Sequence, residues 1–233
     1  MLLLTIIFYV ALASWTILMG VFCLPFIFLP SKFIALPTKI WIKGLFIILE
    51  YICGVTHEIR GLNYLSNEPT IIVSKHQSAF ETFALYYYLK KSFFIHKKQL
   101  FYIPIFGQYL MKHNMVSIDR AGQASTMRKM ITDVKNKLDS GSTIIIFPEG
   151  TRKKPGEKSD YKTGFIGIYN TAKRKLQPVA LNSGLFWQKG LNVIKSGHII
   201  IEFLPPIDVG LDKKEVLNKV ESSIEAATNK LLH

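Results

Sequence analysis

Cysteine, acid and, over one long stretch, charge of either sign are what this sequence has least of. Its two cysteines, Cys23 and Cys53, lie in apolar segments and show neither metal-type nor C-x-x-C spacing. That excludes a disulfide framework and a cysteine-built metal centre, and leaves two buried free thiols. Also missing are H-E-x-x-H, G-x-S-x-G and G-x-x-x-x-G-K-[ST], the signatures of zinc hydrolysis, a serine nucleophile elbow and a nucleotide-phosphate loop. His57, His96, His113 and His198 are scattered, and Ser78 and Ser183 stand in no nucleophile motif. No metal site is expected, and no internal repeat or low-complexity tract is present.

Acids number 16 against 29 lysines and arginines, a net charge of +13. No charged side chain occurs from Met1 to Pro30, so Ser31–His233 carry the whole excess. Hydrophobic residues make up 49% of the chain, high for a soluble domain. A basic body behind an uncharged apolar start points to anionic lipid or phosphorylated ligands. Nucleic acid would account for the charge but not for the apolar start, so none is expected as a partner.

Leu2 to Leu24 is an apolar run of roughly 34 Å as a helix, enough to cross a hydrocarbon core. It lacks the basic start and small-residue cleavage site of a signal peptide, and Pro25 and Pro30 end it. From Ser31 to Val55 the chain is apolar but carries Lys32, Lys39, Lys43 and Glu50 within roughly 40° on a helical wheel. That narrow polar stripe suits a helix lying in the membrane interface, or re-entering the leaflet, rather than spanning it, with Pro37 kinking or restarting it. The three lysines following the first helix put the body on the cytoplasmic side by the positive-inside rule. Residues 1–55 therefore read as a membrane-anchoring helix pair and 56–233 as the globular domain.

In that domain short apolar runs alternate with amphipathic stretches. Strands are predicted at Thr56–Arg60, Thr70–Ser74, Phe93–His96, Met115–Ile118, Thr143–Phe147, Pro178–Leu181, Asn192–Lys195 and His198–Leu204. Helices are predicted at Ser78–Lys90, Tyr102–Lys112, Ala124–Leu138, Phe165–Arg174 and Asp212–Leu232. The last of these, with Val216, Val220, Ile224, Ala227 and Leu231 on one stripe, reads as packing. The alternation predicts an α/β fold: a mixed, largely parallel sheet flanked by helices, whose ligands gather beyond the strands' carboxyl ends.

Four polar clusters each follow an apolar run. The first holds His76 and Glu81, five residues apart at a strand-to-helix turn. Such a pair can serve as a base and its orienting acid, although Ser78-x-x-Glu81 is equally a capping box. The others are Ser117-Ile118-Asp119-Arg120, Phe147-Pro148-Glu149-Gly150-Thr151-Arg152 and Val179-Ala180-Leu181-Asn182-Ser183-Gly184. A parallel sheet brings all four to one edge, where arginines bind phosphate through paired donors. Lys153-Lys154-Pro155-Gly156-Glu157-Lys158 then reads as a mobile basic loop, either a solvated face or a collector of acidic ligands.

In order and spacing, these blocks resemble those of the glycerolipid acyltransferase family, and most closely its bacterial lysophosphatidic acid acyltransferases. The resemblance runs from about Ile71 to Ser183, and the amino-terminal helix pair resembles that group's membrane anchor. It implies transfer of a fatty acyl group from acyl-CoA or acyl carrier protein to the free hydroxyl of lysophosphatidic acid, at a membrane and without a cofactor. For a bacterial chain that membrane is the inner one. By similarity His76 is the general base, oriented by Glu81. Arg120 and Arg152 match the family's phosphate-binding arginines and Glu149 its acceptor-positioning carboxylate. Gly150 and Thr151 shape the turn, and Lys97 (or, by an equally fair alignment, Lys98) matches a lysine near the acceptor phosphate.

Two positions depart from the family's pattern: Glu81 stands where Asp is usual and Lys75 where Asn is usual. The second bears on acceptor identity. Alternatives are the same chemistry on another lysophospholipid or a lyso-aminolipid, and a basic module that binds anionic lipid without catalysis.

Overall fold

Ile71-Ile72-Val73 is short, β-branched and apolar throughout, the pattern of a strand covered on both faces. It forms the centre of the sheet. The computed structural model describes residues 1–97, 102, 111–112, 115–118 and 124–232, the side chains of Ile27, Lys32, Lys97, Ile118 and Ala124 excepted. Among them the sheet has seven strands: β1 (Val55–Arg60), β2 (Ile71–Ser74), β3 (Ser92–Lys97), β4 (Val116–Ile118), β5 (Thr143–Ile146), β6 (Leu176–Leu181) and β7 (Gly197–Phe203). Their order is β1-β7-β6-β2-β5-β3-β4, and every neighbouring pair is parallel except β6 with β7. The carboxyl ends of β6, β2, β5, β3 and β4 therefore share one edge, as the alternation predicts.

Strand periodicity divides the core in two. Ile72, Ile145, Val179 and Leu181 face one layer, whereas Ile71, Val73, Ile144, Leu176 and Ala180 face the other. The first layer holds α1 (Leu2–Phe22), α2 (Ala35–Cys53) and α3 (Phe80–Tyr88). The second holds α4 (Ala124–Asp139), α5 (Gly164–Ala172) and α6 (Lys213–Leu231). The mixed, mostly parallel sheet flanked by helices is thus the fold that the sequence predicts.

The helix α1 is long and apolar enough to cross a membrane, with a mean hydropathy of 2.3 and most of its surface exposed. Pro25 lies in the short turn that follows it, and Pro37 lies in the first turn of α2, where the missing N–H costs nothing. Pro37 thus restarts the helix rather than kinking it. The two helices are bound edge to edge. Trp15 Nε1 donates to the Trp41 carbonyl at 3.0 Å, and Trp41 Nε1 donates to Thr16 Oγ1 at 3.1 Å. Gly44 permits this approach, since a Cβ there would lie 2.3 Å from Trp15 Cε2. Along α2, Ile42, Leu45, Phe46 and Leu49 are buried while Lys43 and Glu50 stay exposed, and Lys39 lies over the Tyr87 ring. One apolar cluster joins Phe8, Leu45 and Phe46 to Ile72, Phe80 and Ile145, so packing runs straight through the change of texture at residue 55.

Two predicted elements need comment. Asn192–Lys195 is not a strand, although Val193 and Ile194 suit one. Its N–H groups are taken elsewhere: Ile194 N donates to Thr5 Oγ1 at 3.0 Å and Lys195 N to the Phe186 carbonyl at 2.9 Å. The segment is held against α1 instead of joining the sheet. The helix expected over Tyr102–Lys112 falls mostly outside the described residues.

Candidate active site

β2 delivers His76 to the sheet's carboxyl edge, and α3 begins four residues later with Glu81 in its first turn. His76 Nδ1 lies 2.9 Å from Glu81 Oε1. The same oxygen accepts from the Gln77 and Ser78 N–H groups, each at 2.7 Å, and Glu81 Oε2 accepts from Ser183 Oγ at 2.7 Å. Besides the imidazole, three donors (the Gln77 and Ser78 N–H groups and the Ser183 hydroxyl) surround a fully buried side chain, the partner set of a carboxylate. The positive end of α3 favours the same charge. While Ala79 stands at the N-cap with no side-chain cap, Glu81 ties down the turn that precedes α3 and meets the imidazole at once. Its extra methylene, relative to Asp, spans the distance back from the helix.

A carboxylate only accepts, so Nδ1 carries the proton and Nε2 presents a lone pair. The ring stacks on Phe147 with centroids 4.0 Å apart and planes at 15°, and its side chain remains 17% exposed. It is thus held on one face and oriented at one nitrogen, while Nε2 has no partner among the described residues. Such an arrangement can take a proton from a hydroxyl brought to the sheet edge.

The turn after β5 supports that ring from below. Gly150 takes a φ of +67°, which closes Phe147–Gly150 through Gly150 N donating to the Phe147 carbonyl at 3.1 Å. Glu149 is buried inside the turn. Its Oε1 accepts from the His76 N–H at 2.9 Å and its Oε2 from Ser159 Oγ at 2.8 Å. Burial pushes this carboxyl up from its ordinary value, against the opposing pull of Lys75, the His76 N–H and the Ser159 hydroxyl. Lys75 is also buried, so it faces the interior and not an acceptor on the open side of His76.

Thr151 is exposed and Arg152 half-buried. Arg152 makes no hydrogen bond or ion pair with any described residue, which leaves its fork of donors available. Lys189 Nζ reaches Thr151 Oγ1 at 3.4 Å and adds a second cation beside it. Arg120 lies outside the described residues; Lys97 ends β3 on the same edge, with its side chain outside them. The basic loop after Arg152 is a closed turn: Glu157 pairs with Lys153 at 2.7 Å and accepts from the Lys154 N–H at 3.1 Å.

His76, Glu81, Glu149 and Arg152 thus come together. Ser183, Ser159, Lys75 and Lys189 join them without having been singled out as site residues. Ser183 lay within one of the four blocks, and Lys75 beside His76. Nothing in the sequence pattern marked Ser159 or Lys189.

A family model described as Acyltransferase matches residues 56–182. The 1-acyl-sn-glycerol-3-phosphate acyltransferase of Pseudomonas aeruginosa is 30% identical over 149 residues, 64% of this chain and 58% of that protein. The protein of the same name from Helicobacter pylori strain J99 is 35% identical over 153 residues, 62% of this chain and 64% of the relative. The match thus spans about three-fifths of these relatives' length. The crystal structure of the 1-acyl-sn-glycerophosphate (LPA) acyltransferase PlsC from Thermotoga maritima superposes with a TM-score of 0.80 at 25% identity, covering 99% of this chain and 95% of that one.

Proposed function

This chain belongs to the Acyltransferase family, and on that premise we propose that it transfers a fatty acyl group from a thioester to the hydroxyl of lysophosphatidic acid, giving phosphatidic acid. The observation that carries this reading is the His76–Glu81 pair, with Nδ1 held at 2.9 Å by the carboxylate and Nε2 without a partner among the described residues. The names of the relatives support lysophosphatidic acid as acceptor, and α1 supports a membrane setting.

In the proposed reaction Nε2 takes the acceptor's hydroxyl proton as its oxygen attacks the thioester carbonyl. The imidazolium then faces Glu81, which stabilises it as the third group of a triad does. When the carbonyl re-forms, the C–S bond breaks and the departing thiolate takes the proton back from Nε2. Attack is direct, so no acyl-enzyme forms. Arg152 binds the acceptor phosphate, with Arg120 and Lys97 assigned beside it by similarity; Gly150 and Thr151 shape the turn that presents it. Glu149 acts on the acceptor's position through the His76 peptide. The donor is acyl-CoA or acyl carrier protein, both acidic and suited to the basic surface, and no resident cofactor takes part. The body lies on the cytoplasmic side of the membrane, with α1 and α2 as its anchor.

A labelled-acceptor assay offering the two donors separately tests the reading. Labelled phosphatidic acid with either donor is the expected result. No transfer to lysophosphatidic acid with either, alongside transfer to another lyso-lipid, would overturn the acceptor; no transfer at all would leave only an anionic-lipid binder.

A further inference from the structure

The alternation of β2 decides where Lys75 goes. Ile71 and Val73 face the α4–α6 layer, and residue 75 is next on that side. Its side chain runs under the sheet edge, 2% exposed, away from the open side of His76. There Nζ lies 2.7 Å from Glu225 Oε1, 2.9 Å from Ser159 Oγ and 3.6 Å from Glu149 Oε1. Glu225, on α6, also accepts from the Tyr161 hydroxyl at 2.8 Å. Two carboxylates thus share one buried ammonium, and a lysine so deeply buried persists only where its partners compensate its charge.

The chain of contacts ends at the catalytic loop. Glu149 Oε1, the oxygen nearest Lys75, is the one that accepts from the His76 N–H at 2.9 Å. On the other side of that peptide the His76 carbonyl accepts from Lys153 N at 2.9 Å. We infer that Lys75 is a positioning residue for acyl transfer: bridging Glu149 and Glu225, it holds the Glu149 carboxylate against the His76 peptide and so fixes the aim of the imidazole. This rests on His76 being the base of the proposed reaction. It also gives α6 a part in catalysis, through Glu225, beyond packing.

The charges predict two opposite effects. Glu149 is faced by Lys75, Ser159 and the His76 N–H, and more distantly by Glu225, Tyr161 and Lys153. Tyr161 donates to the Glu225 end, and Glu221 acts in turn on Tyr161. Without the Lys75 charge, burial and Glu225 both favour the protonated form of Glu149, whose hold on a peptide N–H is weaker. Without the Glu225 charge, Lys75 serves Glu149 alone and the carboxylate forms more readily.

The test measures kcat and acceptor KM against pH for the full chain in membranes, with labelled lysophosphatidic acid. Lys75→Met should lower kcat at neutral pH by about 10²-fold, the scale of a misplaced catalytic group, with acceptor KM unchanged and partial recovery as pH rises. Its acidic limb moves up; that of Glu225→Gln moves down. Adding Glu149→Gln to Lys75→Met should abolish the upward displacement. If Lys75→Met fails to fold, Glu225→Gln decides alone, since that side chain is 28% exposed and tolerates exchange. Wild-type limbs in Lys75→Met and Glu225→Gln, alongside an inactive His76→Ala, would overturn the inference and leave the base in place. An active His76→Ala would overturn both.

Discussion

Ser183 Oγ donates to Glu81 Oε2 at 2.7 Å across 102 positions of sequence, while the opposite oxygen of the same carboxylate faces His76 Nδ1 at 2.9 Å. The end of β6 and the start of α3 thereby hold one acid between them. The Gln77 and Ser78 N–H groups complete its partners, so the turn before α3 and the His76–Glu81 pair are one structure. Ser78-x-x-Glu81 is not a capping box, because Ala79 is the N-cap and Ser78 Oγ accepts from the Phe80 N–H.

Ser183→Ala removes one donor from a buried carboxylate. A hydrogen bond to a charged group is worth about 1.5–3 kcal/mol, so thermal unfolding should shift down accordingly. Acyl transfer should fall in kcat with acceptor KM unchanged, and Ser183→Thr should restore part of the loss because its hydroxyl can donate. Wild-type kcat in Ser183→Ala would show that Glu81 needs no help from β6.

Glu81→Gln keeps the side chain's length but removes its charge. By analogy with the acid of a catalytic triad, kcat should drop by up to about 10⁴-fold. Because Nδ1 is then no longer matched to a carboxylate, the loss should appear in kcat far more than in acceptor KM. A drop confined to KM would assign Glu81 to substrate binding instead.

Arg152 stands half-buried beside the site with no described partner. Arg152→Ala should raise acceptor KM by about 10- to 100-fold, the worth of one charged hydrogen-bonding pair. Arg152→Lys should recover only part of it, since an ammonium lacks the paired donors. An unchanged dependence on lysophosphatidic acid would remove Arg152 from the phosphate site.

Glu149 provides a pH signature in stability. Burial raises its carboxyl above the ordinary 4.5. Between that value and the raised one, the folded chain keeps a proton that the unfolded chain has released, so stability falls as pH rises. Glu149→Gln has no such proton. Unfolding midpoints taken from about pH 4 to about pH 7 should therefore show wild type losing ground to the variant. Parallel curves would contradict the burial cost.

Much of this was readable in the sequence, because β2 and β5, which carry His76 and Glu149 at their ends, are short β-branched runs. The polar clusters following β2, β5 and β6 were visible as ends of apolar runs, and a parallel sheet alone brings them to one edge. What the sequence hid is non-local. Lys75 reads as a departure from the family's Asn that bears on the acceptor, until the alternation of β2 carries it beneath the sheet to Glu225, 150 positions away. Ser183 reads as a loop hydroxyl until β6 lies beside β2. Asn192–Lys195 shows the reverse failure: a sound strand pattern lost to Thr5 of α1, whose hydroxyl captures the Ile194 N–H.

The central claim is that the nitrogen of His76 facing away from Glu81 removes a proton from a lipid hydroxyl. Acyl transfer to labelled lysophosphatidic acid by the His76→Ala chain, in membranes containing matched amounts of the wild type and the variant, tests it most directly. The account predicts that transfer is abolished while binding to anionic liposomes stays as in wild type. Transfer at the wild-type rate by the variant would contradict it.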